Sequence, residues 1–126
     1  MSEFNKEGFL STGINKWQKG CRNRYSEWFV LCEEFNQYCV KLTSKLFIRK
    51  SYRRQSLFVA LFFKLLCIYQ GSIILAEKCM ANEVKILLRG LLEALFALRA
   101  IVVNKEVAEE YHKNHFLEKL RNLRRV

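Results

Sequence analysis

An all-α fold follows from three features of this 126-residue sequence: it contains no proline, hydrophobic residues make up 51% of it, and its apolar residues recur at spacings of three and four. Long uninterrupted helices tolerate such a composition better than a turn-rich β fold does. The pattern predicts an antiparallel bundle of about four long helices, with dimerisation as a further expectation. The length suits one domain with a core that needs neither disulfides nor metals. Residues 1–20 read as a loosely structured arm and residues 21–126 as a single helical domain.

The first clear element begins at Cys21, because Cys21, Tyr25, Trp28, Cys32, Phe35, Cys39, Leu42 and Leu46 form a narrow apolar stripe at helical spacing. Glu27, Glu33, Glu34, Asn36 and Lys41 occupy the other faces, which suits an outer helix. A basic window, Lys45, Arg49, Lys50, Arg53 and Arg54, ends it. Ser56 is the expected N-cap of the next helix. Leu57 to Leu75 is then apolar on nearly every side, long enough to raise the question of a membrane span, for which about 20 residues are needed. Lys64 and Gln70 near its middle favour instead the central buried helix of a soluble bundle.

A polar stretch around Ala81 to Glu83 predicts a short antiparallel turn. From Ile86 to Val103 the chain is again apolar but carries Arg89, Glu93 and Arg99. Arg89 and Glu93 stand four apart and so lie one above the other on a helix. Gly90, Ala94 and Ala97 form a small-residue groove that a neighbouring helix can approach, with Gly71 able to serve the same contact. Asn104 is placed to cap a last helix, with Glu106 in its first turn.

The middle of the chain, from about Lys45 to Arg121, resembles the bacterial family catalogued as domain of unknown function 5677. The resemblance rests on Leu46-Phe47-Ile48-Arg49, on the small and apolar residues up to Ala76, and above all on Leu88-Arg89-Gly90-Leu91-Leu92-Glu93-Ala94. Members usually show Arg-Ser-x-x-Glu-Ala at that place, so Gly90 departs from the common serine and removes a hydroxyl from beside the arginine. The resemblance implies an all-helical domain, often part of a longer protein, with no established activity.

Charge and cysteines narrow the function classes. Twenty-two Lys and Arg against twelve Asp and Glu give a net charge of +10, which attracts phosphate-rich partners or anionic surfaces. Five cysteines without C-x-x-C spacing, mostly within apolar patterns, favour reduced thiols and a cytoplasmic location over a disulfide framework. No secretory signal is recognisable in MSEFNKEGFL.

Three groups of candidate residues emerge. Lys85, Arg89 and Glu93 form a polar stripe suited to binding or to a structural ion pair. Lys45, Arg49, Lys50, Arg53 and Arg54 could hold nucleic-acid phosphates. His112 and His115 are the candidates for catalysis, although the Arg-polar-x-x-x-His signature of helical toxin-type ribonucleases is incomplete, with Lys113-Asn114-His115 its nearest counterpart. Glu109 and His112 form one Glu-x-x-His, where a di-iron bundle needs two and further glutamates; no metal and no cofactor are expected.

The favoured expectation is a non-enzymatic binding or interaction module that associates with itself or with another protein. An RNA-directed ribonuclease of the toxin or defence type and a membrane-associated helical protein are the alternatives.

Overall fold

The computed structural model describes residues 6–46, 53–111 and 113–114, and these are helical with no strand among them. Four α-helices follow in order: α1 (Ile14–Arg24), α2 (Ser26–Thr43), α3 (Arg53–Glu77) and α4 (Ala81–Val103), after a 3-10 turn at Gly8–Leu10. A further helical stretch runs over residues 105–111. α1 crosses residue 20, the boundary expected between arm and domain.

The stripe that begins at Cys21 is divided between two helices. Tyr25, with φ −116° and ψ 27°, leaves helical geometry and redirects the chain. Tyr25 itself keeps both of its backbone hydrogen bonds at the break: its N–H donates to Cys21 O at 3.1 Å and its carbonyl accepts from Phe29 N at 3.1 Å. Periodicity alone cannot show such a kink, since the spacing of apolar residues continues across it. On α2 the stripe is poorly covered, with Trp28 67% and Phe35 52% exposed, and the buried residue of the helix is Phe29, which lies outside the stripe.

α3 begins at Arg53, ahead of the expected cap at Ser56, and runs for 25 residues. Its end is closed by left-handed backbone at Cys79, φ 58°. Met80 N donates to Leu75 O at 3.0 Å and Cys79 N to Ala76 O at 2.9 Å, the 6→1 and 5→2 bonds of a Schellman motif. The turn therefore lies at residues 78–80, just before the expected Ala81 to Glu83, which instead form the first turn of α4. Polarity marked the neighbourhood; the backbone hydrogen bonds decide the turn.

α3 and α4 form an antiparallel hairpin, the most extensively packed helix pair among the described residues. A Cβ placed on Gly71 would lie 3.5 Å from Leu87 Cδ1, and one on Gly90 would lie 4.0 Å from Ile68 Cδ1. The small-residue groove thus receives the preceding helix at ordinary van der Waals distance. Leu61, Ile101 and Ala108 form the buried cluster at the open end of the hairpin, with Leu57, Ala97, Leu98 and Tyr111 against it. Ile101 is the one large side chain among the described residues that is fully enclosed.

α2 reaches the hairpin through specific polar and aromatic contacts. Tyr69 Oη donates to Cys32 O at 3.0 Å, Gln70 Nε2 donates to Asn36 Oδ1 at 3.0 Å, and the Phe35 and Tyr69 rings meet edge to face at 5.4 Å. α3 is consequently not the enclosed central helix that its composition suggests. Ala60, Phe63, Lys64, Cys67 and Ile74 are exposed on it, because α2 and α4 cover only part of its circumference. Closure into a four-helix bundle is not seen among the described residues.

Candidate functional site

The side of α4 facing away from α3 carries exposed apolar side chains among charged ones. Helical geometry puts Leu88, Leu92 and Phe96 on this side together with Lys85, Arg89 and Arg99. The opposite side supplies the buried Ala94 and Ile101. Leu92 is 50% and Phe96 66% exposed. Ile86, Leu95, Val102 and Val103 are exposed beside them. Lone exposed leucines need no explanation, but a continuous helical stripe of them does.

Arg89 and Glu93 form the ion pair that their spacing predicts, Nε to Oε1 at 3.1 Å. Their side chains are 84% and 66% exposed, so the pair is screened and contributes about 0.3–0.5 kcal/mol at most. Its order, cation before anion, is the weaker one on a helix. The pair lies in water along the rim of the apolar stripe, with Lys85 one turn earlier and also exposed.

The basic window is only partly described. Lys45 and Arg54 line one cleft of about 630 Å³ with Gln55, Phe58, Val59 and Val102. Arg54 is engaged there: its Nε donates to Ile101 O at 2.9 Å and its Nη2 to Val102 O. It caps the carbonyl end of α4, where the helix dipole favours a cation. Arg49, Lys50 and the side chain of Arg53 lie outside the described residues, as do His112 and His115.

Asn104 performs the capping role its position predicts, its Oδ1 accepting from Glu106 N at 2.9 Å. Its own N–H donates to Ala100 O at 2.9 Å, so one residue closes α4 and opens the next helical stretch. Among the described residues no group of three or more His, Cys, Asp or Glu could hold a metal ion.

Two features escaped the sequence pattern. Arg22 forms ion pairs with both Glu33 and Glu77 and lies over the Phe29 ring at 5.7 Å, tying α1 to α2 and α3. Nothing in the spacing of residues 22, 33 and 77 signals this. The same approach of α1 to the end of α3 brings Cys21 to Cys79. Desolvation raises the Cys79 thiol to about 11, helped by its hydrogen bond with Cys21 and by the charge of that neighbour. Tyr69 is raised as well, by burial first and then by its contacts with Cys32 and Cys39. Both groups stay protonated at neutral pH, which suits packing.

A second concavity of about 340 Å³ lies where α2 meets the hairpin, lined by Phe35, Cys39, Leu66, Tyr69, Leu95 and Leu98 among others. Its wall is continuous with the outer side of α4 through Leu95.

No curated protein and no solved structure matches the chain. Residues 55–126, which hold nearly all of the hairpin and the stretch after it, match the model of the Family of unknown function (DUF5677). The helix pair that builds the core and presents the exposed stripe therefore lies within the matched region, and the chain belongs to that family.

Proposed function

We propose that this protein is a helical interaction module whose working surface is the outer side of α4. The observation that carries this reading is the exposure of Leu88, Leu92 and Phe96 on a helix whose other side is already packed. Apolar and aromatic side chains at i, i+4 and i+8 are the anchors by which one helix recognises another. Charged residues around such a stripe set orientation more than affinity. Lys85, Arg89 and Glu93 are binding residues in that sense.

A photo-crosslinking amino acid at Phe96, in cells producing the chain, tests the reading. The expected result is a protein adduct that disappears when Leu92→Glu is added and is absent when the probe sits at Lys105. Absence of any protein adduct at Phe96, or equal adducts at both positions, would contradict it.

One observation favours a second reading, association with a membrane. The segment Arg54–Glu77 has a hydropathy of 2.0 in its most apolar window, of which 22% is buried within the fold. Its length and composition alone would allow it to cross a bilayer. Recovery of the chain in a membrane fraction that resists salt and carbonate washing would support this reading; full recovery without detergent in the soluble fraction would remove it.

A further inference from the structure

Among the described residues Cys79 is the one non-glycine with positive φ, 58°. Its left-handed backbone is held by the two hydrogen bonds that close α3, and a glycine would make the same turn without the crowding of a Cβ. What cysteine adds at this place is a thiol, and that thiol is hydrogen-bonded to Cys21 on α1. Backbone strain held by its surroundings calls for an explanation in the group that it positions.

The contact is fixed from both sides. On α1 the next residue, Arg22, forms an ion pair with Glu77, two residues before Cys79. On the hairpin, the Schellman turn sets the direction in which the Cys79 side chain leaves the backbone. Both cysteines are free thiols and partly exposed, so a small oxidant in water reaches them. Cys32 and Cys39 stand two turns apart on α2, about 10 Å along the axis, which is beyond the reach of a disulfide.

We propose that Cys21 and Cys79 are a redox pair, which a small disulfide oxidant of the glutathione class converts into an intramolecular disulfide that fastens α1 to the turn between α3 and α4. Cys79 holds its proton at neutral pH, so the first exchange is assigned to Cys21. The Cys21 thiolate attacks one sulfur of the oxidant, forming a mixed disulfide and releasing the other half. The Cys79 sulfur then attacks the Cys21 sulfur, the S–S bond to the oxidant breaks and its second half leaves. Each departing thiolate takes up the proton of the cysteine that displaced it. Two protein thiols are thereby oxidised and one oxidant disulfide is reduced to two thiols.

Without this bond α1 is held to α3 by an ion pair whose side chains are both partly exposed, a weak restraint in water. The disulfide encloses residues 22–78, and closure of so long a loop restricts the unfolded chain strongly. It also keeps the start of α2, which follows α1 across Tyr25, beside the hairpin. Reduction removes that restraint and returns the contact to its ion pair.

The purified chain, equilibrated with oxidised glutathione and then alkylated in denaturant, tests this. Peptide mapping is expected to find Cys21 joined to Cys79 within one chain, with Cys32, Cys39 and Cys67 outside any protein disulfide. The melting temperature is expected to rise by about 10 °C, and dithiothreitol to reverse the rise. Cys21→Ser and Cys79→Ser should each lose both the link and the rise, whereas Cys67→Ser should keep both. Circular dichroism on the reduced variants checks that their helices form. Five alkylated cysteines, or glutathione left on Cys21 as a mixed disulfide, would overturn the proposal. A link from Cys21 or Cys79 to any other cysteine would overturn the pairing, and a link between the two that leaves the melting temperature unchanged would overturn its fastening role.

Discussion

At the scale of single residues, several polar groups in this chain end helices, and their identities follow from the atoms they must satisfy. Arg54 holds the last carbonyls of α4 from the adjacent helix, a role that a lysine, with one point of charge, fills less well. Arg54→Ala is expected to destabilise the chain by about 1–2 kcal/mol in a urea melt, the usual worth of hydrogen bonds from a charged donor at a partly exposed site. An unchanged midpoint would show that water replaces the guanidinium at no cost. Cys79 is the opposite case, a residue in left-handed backbone where glycine is normally found. Cys79→Gly should raise stability by about 0.5–1 kcal/mol. A loss of stability instead would mean that the contact of Cys79 with Cys21 outweighs the backbone strain.

The raised thiol of Cys79 carries a pH signature of its own. A group that binds its proton more tightly in the folded state contributes fully below its unfolded value near 9 and loses that contribution as pH rises through about 11. Alkylation of Cys79 should accordingly be slow at pH 8 and accelerate towards pH 11, more steeply than at a thiol of ordinary acidity. Comparable rates for all five cysteines at pH 8 would contradict the contact with Cys21.

At the scale of elements, the hairpin was legible and its surroundings were not. The run from Ile86 to Val103 announced a helix by its spacing, its small residues announced a neighbour, and Asn104 announced the next start; the structure places each accordingly. The kink at Tyr25 and the Schellman turn at residues 78–80 were hidden, because they depend on backbone angles that no local polarity records. Arg22 was hidden for a different reason, since its partners lie 11 and 55 residues away. Even the glycines say less than their spacing suggested. With Leu87 at 3.5 Å from a Cβ built on Gly71, Gly71→Ala has room for its methyl group and should stabilise the helix by up to about 1 kcal/mol. A clear destabilisation would show that α3 and α4 pack more closely than ordinary contact.

At the scale of the whole molecule, the balance between buried and exposed apolar groups points outward. Among the described residues few large side chains are enclosed, while Trp17, Trp28, Phe35, Tyr38, Phe63, Leu92 and Phe96 remain substantially exposed. A soluble monomer rarely leaves that many large apolar side chains exposed without using some of them. The sequence showed the amount of apolar material but not its distribution, since a helix that is apolar on all sides looks the same whether a protein partner, a lipid or its own core covers it. Placement of α2 off to one side of the hairpin, through Tyr69, Phe35 and Gln70, is what leaves the outer side of α4 open. The account stands or falls on the use of that side, and crosslinking from a photoreactive residue at Phe96, with and without Leu92→Glu, measures it most directly. The account predicts a protein adduct that Leu92→Glu removes while wild-type helicity is kept. Absence of a protein adduct, or an adduct unchanged by Leu92→Glu, would contradict it.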